Sequence, residues 1–352
     1  MKRKLVTASL ALVLTFVFSA TGSMKSTACT RVVYQGPNGT ILTARSMDWR
    51  EDLHSNLWLF PRGMERSGEI GRNPLRWTSK YGSIVTSAYE ISSTDGMNEK
   101  GLVANLLWLA ESEYPQWDGS RPGLSIAAWV QYMLDNFATV DEAVRQMEKD
   151  EFDVVSDQMP DGSRMAALHL SISDATGDNA IFQYIGGKLI IHHSRAYTVM
   201  TNSPVFDQQL ALDDYWRNIG GLTFLPGTNR AADRFVRASF YVEAIPKVED
   251  TREALAGIFS VIRNTSVPLG ISTPNEPNIS STLWRTVSDH KNLVYYFESA
   301  FYPNVFWVDM KDANFSTGAP VKKLDLVSGK TYAGNTADKF VESAPFKFLG
   351  IP

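Results

Sequence analysis

The stretch STACTRVVYQGPNGTILTARSMDW, residues 26–49, carries the chain's single cysteine, Cys29, at the head of its first β-type run. Thr30–Gln35 and Thr40–Trp49 are dominated by β-branched, aromatic and other apolar side chains. Gly36-Pro37-Asn38-Gly39 between them is turn chemistry, so the stretch reads as a hairpin that begins at Cys29. A hairpin of that kind brings Arg45 and Asp48 back towards its first residue.

Upstream, a basic cluster (Lys2, Arg3, Lys4) leads into an apolar stretch from Leu5 to about Ala20 and then into small polar residues, the layout of a secretory leader. Residues 1–28 are therefore set apart as a leader to be removed, and residues 29–352 are read as one domain, with no composition break or linker between them. The apolar run is shorter than the ~20 residues of a spanning helix and no later segment is apolar enough to span, so an exported, periplasmic or secreted protein with no membrane association after processing is expected. Loss of the leader removes four basic residues (Lys2, Arg3, Lys4, Lys25) and no acidic one, taking the formal charge from −4 to −8. That charge disfavours nucleic acid and anionic membrane surfaces as partners.

Exported proteins usually hold cysteines in pairs, and a lone one is inert, lipidated or chemically employed. A buried structural cysteine would have no reason to fall at the leader cut. Lipidation needs a Leu-rich box against the apolar run, whereas Thr21–Ala28 intervene and Ser26 stands where the Leu belongs. Under the third reading, cleavage before Cys29 leaves a residue with a thiol of pKa ~8.5 and a free α-amine of pKa ~8, so that the amine can take the thiol proton and later return it to a leaving nitrogen. No catalytic histidine is then needed, and the five histidines (His54, His169, His192, His193, His290) form no metal-ligand pattern. Neither metal nor cofactor is expected; Gly186-Gly187-Lys188 is a hairpin turn without the upstream glycine of a nucleotide loop.

Two further meanders stand out, LHLSISDATGDNAIFQYIGGKLIIHHS with turns at Thr176-Gly177-Asp178 and Gly186-Gly187, and LWRTVSDHKNLVYYFES followed by NVFWVDM. Helical spacing predicts a helix over about Leu124–Phe137, one after a capping box of Thr139 and Glu142, one over Arg230–Ala244 ended by Pro246, and one over Arg252–Ile262. Antiparallel sheets with separate helices give an α+β class, sheet on sheet with helices outside.

Cys29, Arg45 and Asp48 in ARSMDW, DGMNEKGL (Asp95–Leu102), TNSPVFDQQ (Thr201–Gln209) and ADRFVR (Ala232–Arg237) together resemble the choloylglycine hydrolase family, in the family's order and over nearly the whole mature chain. The resemblance implies a four-layer αββα sandwich of the N-terminal-nucleophile hydrolases and cleavage of a linear amide by the amino-terminal cysteine, often in a homotetramer. It assigns Cys29 as nucleophile, Arg45 as the charge beside the thiolate, Asp48 as acceptor from the amine and Asn202 as a side-chain donor to the oxyanion. A second, backbone donor falls near Trp108, and Arg234 is a further arginine near the nucleophile.

Trp stands at position 108, where bile salt hydrolases of this family carry Asn and the Gram-positive penicillin V acylases Tyr. The segment from Asn202 to Arg234 is also shorter, trimming a loop linked to tetramer assembly. Both departures resemble the Gram-negative branch, associated with penicillin V and long-chain N-acyl homoserine lactones. Trp108 and Trp49 are candidate walls for an apolar acyl group of a small amide substrate, at ~0.8 kcal/mol for each buried CH₂. Bile salt hydrolysis is the alternative within the class. A non-enzymatic acyl-binding protein, or a lipoprotein, is the alternative outside it.

Overall fold

The computed structural model describes residues 29–162, 164–272, 280–302 and 304–351. The leader expected over residues 1–28 lies outside them. Two large sheets dominate. The first has seven strands in the order Val199–Met200, Cys29–Gln35, Ile41–Trp49, Ser281–Asp289, Val294–Ser299, Val305–Asp309 and Gly334–Asn335. The second has nine, in the order Lys188–His193, Asn179–Ile185, Leu168–Ser173, Val103–Trp108, Ser92–Asn98, Ser83–Ala88, Leu57–Phe60, Lys322–Leu324 and Val341–Glu342.

Helices cover the two outer faces. Ala231–Ala244 packs on Cys29–Gln35 and Thr251–Asn264 on Ile41–Trp49, while Trp129–Asn136 packs on Ser92–Asn98 and Val103–Trp108. The layering is therefore helix, sheet, sheet, helix. Period-two alternation assigns the faces. On the second sheet Val103 and Leu107 join the core between the sheets, whereas Ala104 and Leu106 join Trp129, Met133 and Leu134 in the core beneath the helices. The space between the sheets is not wholly apolar. Arg31 bridges it to Asn105 (3.2 Å), Ser173 (2.6 Å) and Asn179 (3.4 Å), and Thr43 Oγ1 meets Ser173 Oγ at 2.8 Å.

The strands, turns and later helices follow the sequence pattern, with Gly177, Gly186 and Gly187 supplying positive φ at the two meander turns. The helix expected from Leu124 needs correcting. Gly123–Ser125 is a short strand parallel to Asp153–Val155, Ile126–Ala128 is a 3₁₀ turn in which Ser125 Oγ accepts from Ala127 N (3.3 Å), and the α-helix runs only over Trp129–Asn136. At Thr139 the hydroxyl accepts from Glu142 N (3.2 Å), but Glu142 Oε2 reaches one residue further back, to Ala138 N (2.8 Å). A further helix, Phe206–Ile219, has no counterpart in the sequence reading.

Candidate active site

Cys29 opens the second strand of the first sheet and sits opposite Met47 on the neighbouring strand. Alternation turns Cys29, Arg31, Thr43, Arg45 and Met47 inward, towards the second sheet, and Ser46 and Asp48 outward, towards the helices. The Cys29 thiol is buried, with Sγ 3.9 Å from Met47 Sδ and 3.8 Å from the Asp48 carbonyl oxygen.

Arg45 shares the inward face. Its Nη2 lies 3.6 Å from the same Met47 Sδ and donates to the Leu106 carbonyl at 2.9 Å, and its guanidinium carbon stands 4.7 Å over the Trp284 ring. The side chain has no solvent exposure, and its Nε and Nη1 have no hydrogen-bond partner among the described residues. The nearest carboxylate, Asp95, is 4.0 Å away and equally buried. Asp95 is fixed from both sheets: it accepts from Asn105 Nδ2 (2.6 Å), Thr286 Oγ1 (3.1 Å) and the Tyr295 hydroxyl. The sequence reading noted the segment that holds Asp95 but gave the residue no role. Burial pushes the Cys29 thiol up, and the Arg45 charge is the chief influence drawing it back.

Asp48 occupies the opposite face, so it makes no ion pair with Arg45. Its carboxylate accepts from Ser46 Oγ (3.2 Å) and from the Thr282 hydroxyl, which a bulge between Thr282 and Trp284 brings into reach, and lies 3.7 Å from Arg234 Nη1. Burial raises the Asp48 carboxyl, and Arg234 is the largest opposing influence. Arg234, from the Ala231–Ala244 helix, is fully buried and grips the start of the strand: Nη1 donates to the Cys29 carbonyl (2.7 Å) and Thr30 Oγ1 (2.5 Å), and Nη2 donates to Asn202 Oδ1 (3.0 Å).

Asn202 reaches the site because Val199–Met200 pairs antiparallel with Val32 and Arg31, so the chain continues past Cys29. Its Oδ1 accepts from the Cys29 backbone nitrogen as well as from Arg234, and its Nδ2 donates to the Trp108 carbonyl at 2.7 Å. These partners fix the amide orientation, since a flip would set donors against donors. The acceptor for this backbone nitrogen is Asn202, whereas the resemblance assigns Asp48 to the free α-amine. In the full-length chain that nitrogen still carries the peptide bond to Ala28.

Leu109 N donates to Ala167 O, so Leu109 faces the Leu168–Ser173 strand. Strand alternation then points both the N–H and the C=O of Trp108 the other way, to the edge where Asn202 sits and where pairing with Ser92–Asn98 has ended at Asn105. One Nδ2 hydrogen of Asn202 remains unspent by the bond to Trp108.

A cleft of about 710 Å³, counted to its open mouth, has Cys29, Arg45 and Met47 among its walls. Trp49 and Trp108 form another part of its wall, their rings 5.7 Å apart and tilted by 48°. Both indoles are nearly buried, and Trp49 Nε1 donates to Tyr89 Oη at 3.1 Å. The remaining walls are mostly aliphatic, with Tyr89, Ser92, Thr94 and Gln158 among them. No cluster of metal-ligating side chains occurs among the described residues. His192 and His193 lie on the Lys188–His193 strand, as the sequence suggested.

A thiol beside a buried cation, with backbone and amide donors converging on one end of an apolar cleft, is equipment for acyl transfer in the sandwich of an N-terminal-nucleophile hydrolase. The family model for linear amide C–N hydrolases of the choloylglycine hydrolase family matches residues 29–328, beginning at Cys29. The chain belongs to that family and is an enzyme of its class, acting on linear amides. It is 54% identical to the penicillin V acylase of Pectobacterium atrosepticum, with 96% of each chain covered. A bile salt hydrolase/transferase of Clostridium perfringens is 24% identical over 81% of this chain and 93% of its own. Among solved structures, penicillin V acylase from Agrobacterium tumefaciens superposes with a TM-score of 0.86 at 61% identity, covering 92% of this chain and 100% of that one.

Proposed function

We propose that the chain is a penicillin V acylase-type amidase in which Cys29, freed by removal of residues 1–28, attacks the substrate and its own α-amine acts as base. The observation that carries this reading is Arg45, a guanidinium without solvent exposure whose Nε and Nη1 have no hydrogen-bond partner, on the wall of the cleft that Cys29 also lines. Unbonded nitrogens on a buried cation are costly, and with Asp95 no nearer than 4.0 Å a thiolate formed beside the guanidinium supplies a further anionic partner.

In this scheme the amine takes the thiol proton and the sulfur bonds to the amide carbon, leaving the charge on oxygen. That oxyanion is held by the spare Asn202 Nδ2 hydrogen and the Trp108 N–H. Collapse breaks the C–N bond, and the ammonium of Cys29 returns the proton to the departing amine. A water, giving a proton to the same α-amine, then splits the thioester and restores the thiol with release of a carboxylic acid. The apolar cleft suits a phenoxyacetyl group or a long acyl chain, which supports penicillin V and N-acyl homoserine lactones as substrates. The greater identity to a penicillin V acylase than to a bile salt hydrolase favours this over cleavage of conjugated bile salts. The basic and then apolar start of the sequence supports export, and the family resemblance supports a homotetramer, which light scattering on the purified protein tests.

The deciding experiment is intact mass of the purified mature chain alongside a panel of penicillin V, an acyl homoserine lactone and a glycine-conjugated bile salt. A chain beginning with an unblocked Cys29, active on the first two and silenced by Cys29→Ala, is expected. Turnover that survives Cys29→Ala, or full activity in a chain beginning elsewhere, refutes the proposal.

A further inference from the structure

The segment from Asp157 to Ala166 folds back on itself, with a bridge between Gln158 and Met165 and a bond from Met159 N to the Arg164 carbonyl (2.8 Å), and its Met159 and Pro160 line the cleft. It carries a charge that the mechanism leaves unused. The Arg164 guanidinium lies 3.9 Å from the Trp108 ring centroid and 5.6 Å from that of Trp49, set against both indoles. Stacking uses the flat face of a guanidinium and leaves the N–H donors in its plane free to meet a carboxylate.

No carboxylate lies within ion-pair distance of Arg164 among the described residues. Its neighbour Arg50, by contrast, is paired with Asp161. Asp161 and Glu51, which accepts from Tyr89 Oη beside Trp49 (2.6 Å), share this rim with the two arginines. Arg164 is half-buried, and its guanidinium is weakened first by burial and then by Arg50, with the Asp161 charge opposing both, so an arriving carboxylate meets a cation that no carboxylate among the described residues yet contacts.

Its place relative to the reacting atoms is set by the chain. Trp49 follows Asp48, whose carbonyl oxygen is 3.8 Å from Cys29 Sγ, and the Trp108 carbonyl takes the Asn202 bond, so the indole pair stands one step from the nucleophile on each strand. Arg164 lies outside the apolar lining, partly exposed, on the rim of that pair. In the proposed binding mode the acyl group fills the cleft with its carbonyl at Cys29, and the amine half of the amide is left towards this rim.

We infer that Arg164 is a specificity-determining residue that binds a carboxylate on the leaving-amine side of the substrate. This rests on the amidase reading above and narrows it. Amides of amines that carry an acid are preferred to amides of neutral amines of the same shape.

Penicillin V and its methyl ester test this, because they share the acyl group and the scissile bond and differ in the one charge. The mature unaltered protein is expected to show the higher kcat/KM on the acid, with the acid-to-ester ratio falling as salt rises. Arg164→Gln lowers kcat/KM for the acid by roughly ten- to a hundredfold, chiefly through KM, as loss of a charged hydrogen bond does. It changes the ester by less than about threefold, and Arg164→Lys restores part of the preference for the acid. Equal losses on acid and ester, or an unaltered protein with a ratio at or below one, overturn the inference. The latter measurement needs no variant and so decides the matter even where Arg164→Gln does not fold. Failure to cleave either compound is a different result, which removes the penicillin V acylase proposal itself.

Discussion

Asp95→Asn takes one charge and almost no volume from the space between the sheets, and its consequences separate two roles of Arg45. In the native chain Asp95 stands 4.0 Å from Arg45, with neither side chain exposed. Opposite charges at that distance attract by about 4 kcal/mol at an effective permittivity of about 20. Leaving one member of a buried pair alone costs about 3 to 5 kcal/mol. The new amide does not recover this, although its nitrogen can donate to Tyr295 Oη once that hydroxyl turns to Thr86 Oγ1, 2.7 Å away. The expected loss is therefore about 3 to 5 kcal/mol, read from urea unfolding followed by tryptophan fluorescence. The thiol responds in the opposite sense. With Asp95 neutral the Arg45 charge, the largest acting on the thiol beside those of Asp48 and Arg234, is less offset, so the Cys29 pKa falls and the acid limb of the kcat/KM profile moves to lower pH. Tyr295→Phe is the control: it keeps the charge, costs about 1 to 2 kcal/mol for a lost hydrogen bond, and leaves the limb in place. Stability of Asp95→Asn within about 1 kcal/mol of the parent, or a limb that moves upward, refutes the reasoning.

Two other outcomes follow from the same geometry. Asn202→Ala removes an oxyanion donor together with the acceptor for the Cys29 nitrogen, so kcat for penicillin V falls by roughly 10²- to 10³-fold with a smaller change in KM; a fall shared equally by KM would contradict it. His290 is buried and neutral, with Nδ1–H donating to the Gly101 carbonyl (2.6 Å) and Nε2 accepting from Thr43 Oγ1 (2.7 Å), and burial depresses its pKa to about 4. Because the unfolded chain binds this proton near pH ~6.5, its contribution is complete above that pH and is lost as pH falls towards 4, at about 1.4 kcal/mol per pH unit. His290→Gln, less stable at pH 8, should show a slope shallower by that amount between roughly pH 4.5 and 6; parallel slopes in urea titrations would exclude the effect.

The hairpin from Cys29, the two later meanders and the helices at Ala231–Ala244 and Thr251–Asn264 were legible because each is written in local spacing. What was not legible depends on partners far along the chain. Gly123–Ser125 reads as the first turn of a helix until Asp153–Val155 arrives to pair with it. The Phe206–Ile219 helix leaves Leu212, Tyr215 and Ile219 exposed, which blurs the apolar stripe that would have announced it. Asp95 takes bonds from Thr286 and Tyr295, 191 and 200 residues away, and no spacing rule reports such a partner.

Arg45 and Asp48 are three residues apart on a strand, and three is odd, so they cannot serve the same face. The structure divides the labour accordingly. The inward face holds the thiol, Arg45 and Asp95, and from it comes the largest charge acting on the sulfur, that of Arg45. The outward face holds Asp48 and Arg234, and Arg234 grips the Cys29 carbonyl and Asn202 Oδ1. Asp48 therefore acts on the backbone of Cys29 at one remove, through the arginine that its charge keeps in place. Changes at Asp48 or Arg234 should displace the nitrogen of Cys29, the base of the proposed reaction, and lower kcat; they also reach the sulfur, whose titration the Asp48 charge raises and the Arg234 charge lowers. Changes at Arg45 should move that titration furthest, because its charge is the largest acting on the thiol.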